Sequence, residues 1–485
     1  MHANNTAIIG TFLAYMAVVL LLGFLAWRRT TTLKDYILGG RSLNAWVTAL
    51  SAQASDMSGW LLMGLPGLAY AAGLEAGWMV LGLLVGTWLN WKLVAGRLRQ
   101  RTEALDDSLT LPDYFERRFG DKSRLLRLLA GVFILVFFVL YTSSGFVAAG
   151  KLFEALFGID YAWAVFWGAL SVLVYTFFGG FLAVSWADVL QGSLMFVALL
   201  LVGALGWLAL GGPGGIADTL NAVNPDLLDP FVDAGTGQAL GAIGIVSLVG
   251  WGLGYFGQPH ILARFMAANE AGSIPLARRI AITWQTVVLL AAVVVGLTGI
   301  AVLDRPLQGA DVEKVFIFMA VDRFPAVIAG VCLSGILAAV MSTAAAQLLV
   351  ASSAFAEDFY KGVLRKTAGR GELLWAGRLA VLAVSVLAFL LGLDPDSRVL
   401  ALVAWAWAGF GATFGPAVLL SLYWDGMTRN GALAGMLVGG ITVIVWPLLR
   451  DAGGIFALYE LVPGFVLSVI AIVVASRLQG RTAES

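Results

Sequence analysis

Hydrophobic residues occur along this chain in repeated runs of about 20, the length that an α-helix needs to cross the hydrocarbon core of a bilayer. The sequence contains about 13 such runs, separated by short polar segments. Their approximate limits are 7–27, 43–73, 77–96, 126–156, 160–182, 186–210, 239–263, 280–303, 315–355, 373–393, 397–423, 429–449 and 456–476. The pattern predicts an all-α polytopic membrane protein. The longest runs are expected to tilt, break or continue along the membrane surface.

Charged residues are distributed unevenly between the segments that connect these runs. If residues 28–42 lie in the cytoplasm and the connections alternate, most of the 30 Lys and Arg residues fall on the cytoplasmic side, Arg264 among them. The long segment 211–238 falls on the other side and holds four Asp and no Lys or Arg. Because basic connections stay in the cytoplasm, the N-terminus is expected outside and the C-terminus inside. An odd number of spans follows.

Composition narrows the class of protein further. Hydrophobic residues make up 60% of the chain and charged residues 12%, which leaves too little polar surface for a soluble globule of this length. The net charge is zero, so no nucleic-acid partner is expected, and no obligatory protein partner is evident. With Cys332 as the only cysteine and His2 and His260 as the only histidines, we expect no zinc site, no cofactor and no enzyme active site.

The run at 43–73 is interrupted in its middle by Ser51–Gly59, a stretch of small and hydroxylated residues that carries Asp56. An ionised side chain at bilayer depth costs at least ~2.5 to 3.5 kcal/mol, so it implies a compensating role. Ser58 and Gly59 favour unwinding of the backbone, and freed carbonyl groups persist in a membrane only where they line a cavity or bind something. The interruption therefore predicts an ion or solute site.

A second interruption lies near residue 250, where 247–260 holds four glycines and a proline. Each Gly destabilises a helix interior by about 1 kcal/mol and each Pro by about 3 kcal/mol, so this helix should also break. Counting spans from each break predicts two inverted five-helix repeats, 43–210 and 239–423, each opened by a discontinuous helix. An additional N-terminal helix at 7–27 and two additional C-terminal helices at 429–476 complete a single transmembrane domain, 1–485.

Hydroxyl groups form a third feature, because Ser342 and Thr343 lie together in the apolar run 315–355. Hydroxyl and carbonyl oxygens are the ligands that small hard cations prefer. Alternatively, these two hydroxyls bond to carbonyls of their own helix, as Ser and Thr often do in membranes. A channel is less consistent with the sequence, because the polar residues gather in interrupted helices and form no continuous pore lining.

Several strings in this chain resemble the sodium/solute symporter family over about residues 15 to 475. They are Asp35–Ser42, Ala54–Gly67, Leu111–Phe115, Gly179–Trp186, Gly250–Met266, Leu337–Thr343 and Ala406–Gly411. The resemblance implies a leucine-transporter fold in a bacterial inner membrane. It also implies alternating access with sodium as the coupling ion, one for each solute molecule.

The resemblance further implies a set of site residues. Sodium would be bound by main-chain carbonyls and hydroxyls of Ala54, Met57, Ala339, Ser342 and Thr343, with Asp56 as a supporting acid and Asp188 as an acid on the sodium pathway. The solute would contact Ser58, Gly59, Tyr141, Trp251, Tyr255 and Pro259. Two departures from the family pattern, Gln53 and the stretch Ala344–Ala346, concern ion affinity more than the choice of solute.

Within the family, the motifs around these residues imply L-proline as the solute. A proline ring packs well on aromatic faces, and its ammonium group can approach a Trp or Tyr ring. Another small solute of the same family would fit similar residues. A membrane sensor that binds proline without transporting it is a further alternative.

Overall fold

Helices form nearly all of the regular structure in the computed structural model, which describes residues 2–27, 37–178 and 180–483. In chain order the α-helices are α1 His2–Trp27, α2 Ala45–Asp56, α3 Leu65–Ala72, α4 Ala76–Leu89, α5 Gly96–Ala104, α6 Leu111–Arg118, α7 Leu125–Phe157, α8 Tyr161–Phe178, α9 Phe181–Ala209, α10 Pro213–Val223, α11 Ala242–Val249, α12 Pro259–Ala267, α13 Ile274–Val302, α14 Val315–Arg323, α15 Ala326–Ser353, α16 Arg370–Leu391, α17 Val399–Tyr423, α18 Arg429–Val445 and α19 Leu461–Ala483. A short antiparallel hairpin joins β1 Val232–Asp233 to β2 Gln238–Ala239.

Tighter and wider helical turns connect or extend several of these helices. The π-helical segments are Trp60–Gly64, Asn90–Ala95 and Ala354–Leu364. The 3-10 turns are Gly39–Arg41, Gly73–Glu75, Pro225–Leu228, Gly250–Gly257, Ala271–Ser273, Gly309–Lys314, Trp446–Ala452 and Gly454–Ala457.

Ten helical stretches in the described parts of the chain are long and apolar enough to cross a membrane. Two shorter apolar helical stretches, Tyr161–Thr176 and Ala242–Gly257, lie where further spans are predicted. The predicted all-α membrane architecture is therefore confirmed. The count of about 13 spans remains a prediction.

Both predicted helix breaks are present in the structure. The first is short: α2 continues to Asp56, Met57 leaves the helical conformation with φ −81° and ψ 75°, and helical turns resume at Trp60. In the second, α11 ends at Val249 and a 3-10 turn of glycine-rich sequence follows. Gln258 is then extended before α12 begins at Pro259, whose missing N–H is tolerated at a helix start.

Glycines allow the broken second segment to pack directly against α4. A side chain added at Gly86 would place its Cβ 2.2 Å from the carbonyl oxygen of Gly252, and one at Gly82 would lie 2.3 Å from that of Val249. The first break is similarly close to α7, because a Cβ at Gly59 would lie 2.5 Å from the Cβ of Ala148. The two breaks are thus held by close backbone packing of the kind that membrane helices use.

Substitution of Gly86 by Ala should lower the unfolding temperature of the purified protein, because the added methyl group meets backbone atoms that cannot rotate away. Overpacking of this kind costs about 1 to 3 kcal/mol. Gly77→Ala on the same helix is the matched control, since a Cβ at Gly77 meets no atom within 4 Å. Equal unfolding temperatures for the two variants would contradict the close packing of α4 on the second break.

Candidate functional site

Four of the five residues expected to bind sodium lie together where α2 contacts α15. The Ser342 hydroxyl donates to the carbonyl oxygen of Ala54 at 2.8 Å and lies 3.1 Å from that of Ala339. The Thr343 hydroxyl is 3.2 Å from the same Ala54 oxygen. All four residues are buried. The polar contacts between these helices are therefore made by oxygen atoms, the ligand type that a small hard cation requires.

Met57, the fifth residue of that set, lies in the break itself. It is fully buried, and its N–H donates to the carbonyl oxygen of Gln53 at 2.9 Å. Its own carbonyl group belongs to a residue outside the helical conformation, one turn beyond Ala54. Such a carbonyl is not committed to the regular hydrogen bonds of a helix.

Asp56 is the last residue of α2 and is 1% exposed. Its Oδ2 accepts a hydrogen bond from the Tyr255 hydroxyl at 2.8 Å, whereas Oδ1 has no hydrogen-bond partner among the described residues. Its main-chain carbonyl oxygen accepts from the Trp60 indole at 3.1 Å and from the Tyr141 hydroxyl at 3.4 Å. A carboxylate at the partially negative end of a helix favours a nearby cation.

Three of the residues expected to contact the solute, Ser58, Gly59 and Tyr141, lie at or next to this break. Ser58 is buried within the break, and its Oγ lies 3.5 Å from the Trp60 main-chain nitrogen. Gly59 packs on α7, the helix that also carries Tyr141. Together with Tyr255, these residues surround the carboxyl end of α2.

Two aromatic residues of the second break, Trp251 and Tyr255, pack on rings from other segments, and we call these two residues with Trp407 and Tyr459 the aromatic wall. Tyr255 meets Trp407 edge to face, with ring centroids 4.9 Å apart. Trp251 stacks on Tyr459 with centroids 5.4 Å apart, and its carbonyl oxygen accepts from the Trp407 indole at 2.8 Å. The sequence alone did not single out Trp407 or Tyr459, which lie on α17 and just before α19.

Pro259 has a different environment. It opens α12 and lines an apolar cleft with residues of α6, α7 and α15, including Leu111, Ile134 and Leu349. The extended residue Gln258 separates it along the chain from the 3-10 turn that carries Tyr255.

Asp188 is also separate from the oxygen cluster. Its Oδ2 accepts from the Ser51 hydroxyl at 2.7 Å and from the Arg264 guanidinium at 3.3 Å, and Arg264 also donates to Ser51 at 3.1 Å. Asp188 and Arg264 are both fully buried. The expectation that Arg264 lies in a cytoplasmic connection is therefore wrong, because α12 continues to Ala267 and carries this side chain into the protein interior.

A sequence model of the sodium:solute symporter family matches residues 36–439. The sodium/proline symporter of Escherichia coli (strain K12) is 53% identical over 481 residues, which are 98% of this chain and 94% of that protein. The high-affinity proline transporter PutP of Bacillus subtilis (strain 168) is 49% identical over 461 residues, 95% of this chain and 96% of that protein.

Among solved structures, a substrate-bound, outward-open sodium-coupled sialic acid symporter aligns with a TM-score of 0.79 at 18% identity, covering 97% of this chain and 98% of that one. At this identity the likeness concerns the fold alone. It supports the predicted leucine-transporter fold, whereas the two inverted repeats and their limits stay predictions.

Asp188→Asn should lower the unfolding temperature markedly, because it leaves the Arg264 guanidinium buried without a counter-charge. Removing one partner of a buried ion pair costs about 3 to 5 kcal/mol. Asp425→Asn is the control: this carboxylate is 3.4 Å from Arg118 but its side chain is 93% exposed, so its pair contributes little. If both variants unfold at the parental temperature, Asp188 and Arg264 are not a buried pair.

Proposed function

This chain belongs to the sodium:solute symporter family, and on that premise we propose that it couples inward movement of sodium to uptake of L-proline by alternating access. It is a multi-pass membrane transporter and not an enzyme. The observation that carries the proposal is the cluster of hydroxyl and carbonyl oxygen atoms between α2 and α15, close to the point where α2 breaks. The relatives named above support proline as the solute.

Sodium, in this proposal, occupies the oxygen cluster between α2 and α15. The ligands are the carbonyl groups of Ala54, Met57 and Ala339 and the hydroxyls of Ser342 and Thr343. Both hydroxyls now point their protons at a carbonyl oxygen, and each can turn to present a lone pair to an ion. Asp56 adds a negative charge near the cluster, which lowers the cost of holding a cation in a low dielectric.

Proline lies beside the ion, at the break and its aromatic wall. The ammonium group of proline can approach the face of a Trp or Tyr ring. The rings of Tyr255 and Trp251 offer apolar faces for the pyrrolidine ring. Ser58, Gly59, Tyr141 and Pro259 complete the proposed contacts.

One sodium per proline is sufficient for uptake against a gradient. A positive charge moving down about 100 mV releases about 2.3 kcal/mol, and an assumed tenfold sodium gradient adds about 1.4 kcal/mol. The sum of about 3.7 kcal/mol supports roughly 400-fold accumulation of a neutral zwitterion, since each 1.4 kcal/mol is a factor of ten.

The membrane arrangement that goes with this function is also a proposal. The chain crosses a bacterial inner membrane about 13 times, with the N-terminus outside and the C-terminus in the cytoplasm. Residues 43–210 and 239–423 form the two inverted repeats.

Replacing Ser342 and Thr343 together by Ala should raise the sodium concentration needed for half-maximal proline uptake, because two of the ion's ligands are lost. The measurement is counterflow of labelled proline in liposomes across a series of sodium concentrations. Ser334→Ala on the same helix is the control: its buried hydroxyl bonds to the Gly330 carbonyl one turn earlier, at 2.8 Å. An unchanged sodium requirement in the double variant rules out this ion site.

Asp56→Asn should abolish the coupling between the two solutes. In the parental protein, sodium should tighten proline binding by the same factor by which proline tightens sodium binding, typically about 5-fold to 150-fold. Proline affinity is measured by calorimetry at increasing sodium. If parental affinity is independent of sodium, symport is excluded, and if the variant keeps full coupling, Asp56 is only structural. Binding without counterflow would instead identify a sensor.

A further inference from the structure

A chain of three hydrogen bonds begins and ends on α2. The Gln53 amide nitrogen donates to the Gln285 side-chain oxygen at 2.9 Å, and the Gln285 nitrogen donates to the Tyr255 oxygen at 2.9 Å. The Tyr255 hydroxyl then donates to Asp56 at 2.8 Å. Gln53 and Asp56 are three residues apart and so lie on one face of α2. Gln285 lies on α13 and Tyr255 in the second break, and all four side chains are buried.

The direction of these bonds follows from the chemistry of the four groups. The Tyr255 hydroxyl donates to Asp56, and in the ionised form that the proposed function assigns to it this carboxylate only accepts. The Tyr255 oxygen can then only accept from Gln285, and the Gln285 oxygen accepts from Gln53. If the Gln285 amide were reversed, its oxygen would compete with Asp56 for the Tyr255 proton, and its nitrogen would face the Gln53 nitrogen, a second donor.

We propose that Gln285 is a positioning residue that keeps the Tyr255 hydroxyl directed at Asp56, and that Gln53 keeps Gln285 in the required orientation. This inference deepens the proposed function and rests on it. The Gln285 N–H polarises the Tyr255 hydroxyl and strengthens its bond to the carboxylate, as in other hydrogen-bond chains of low dielectric. Oδ2 is thereby stabilised as an anion, and Oδ1 stays available to a cation.

A positioning role of Gln285 should affect the binding of sodium and not that of proline. Gln285 reaches the site through the Tyr255 hydroxyl and the Asp56 charge, whereas the proline ring packs on aromatic faces. Loss of Gln285 should therefore weaken sodium binding and leave proline affinity at saturating sodium almost unchanged. A purely structural role in packing α13 against α2 would weaken both or neither.

A double-mutant cycle tests the proposal. Sodium affinity and proline affinity at saturating sodium are measured on the purified full-length protein carrying Gln285→Met, Tyr255→Phe, or both. Tyr255→Phe removes a hydrogen bond to a charged group and should raise the sodium concentration for half-maximal proline binding about tenfold or more, whereas Gln285→Met removes one to a neutral hydroxyl and should raise it about fivefold. If Gln285 acts through the Tyr255 hydroxyl, the double variant should bind sodium no more weakly than the single variant that has the lower sodium affinity.

Two further variants keep the result interpretable. Gln285→Leu replaces Gln285→Met if the latter fails to fold, and Gln53→Leu should also weaken sodium binding but add nothing in a protein that already lacks Gln285. Gln308→Met is the control, since Gln308 is exposed in a connecting segment and should give parental values.

Failure of the positioning role of Gln285 and failure of the proposed function would give different results. The positioning role is overturned if the Gln285 variants keep parental sodium affinity, or if the double variant loses sodium affinity by the product of the two single losses. Symport would still be supported in that case, provided that proline binding to the parental protein depends on sodium. Equal losses of sodium and proline affinity would identify a structural role and also overturn it. If the proline affinity of the parental protein does not depend on sodium, the proposed function is overturned, and the positioning role of Gln285 with it.

Discussion

Burial of a carboxylate at the broken end of a membrane helix is the constraint on which the rest of the site depends. Asp56 ends α2 and is buried, and each buried polar atom needs a partner. The Tyr255 hydroxyl serves one carboxylate oxygen, while Trp60 and Tyr141 serve the main-chain carbonyl. The remaining oxygen is open, and a cation is the partner whose charge suits it. These donors come from three elements: Tyr255 from the second break, Trp60 from the turn after the first break and Tyr141 from α7.

Polar contacts at successive positions tie α2 to its neighbours. Ser51 meets the Asp188–Arg264 pair on α9 and α12, Ala54 meets α15, and Asp56 meets the second break. These contacts lie within two turns of one helix. A ligand that changes one of them acts on a helix that the others also hold, so under the proposed function the ion and solute sites would be energetically linked through α2.

Local chemistry decided which parts of this site could be predicted from the sequence. The break at Asp56 and the glycine-rich break near residue 250 have strong local signals, and the hydroxyl pair of α15 was recognisable by type. Arg264 was misplaced because a charge count cannot tell how far a helix continues. Gln285 gave no signal, since a single glutamine in an apolar helix acquires its role only from partners on other helices. Trp407 and Tyr459 needed the tertiary packing for the same reason.

The shared acceptor at Ala54 has a kinetic consequence. Ser342 and Thr343 both donate to this one carbonyl oxygen, so the protein satisfies both hydroxyls without an ion. An arriving sodium ion exchanges with hydrogen bonds that already exist, and its departure restores them. The net free energy of ion binding is then a small difference between the ion contacts and the hydrogen bonds that they replace. After dissociation, both buried hydroxyls again have a hydrogen-bond partner. Under the proposed function, such a site favours a short residence time, so the ion can be released to the cytoplasm on the time scale of each transport cycle.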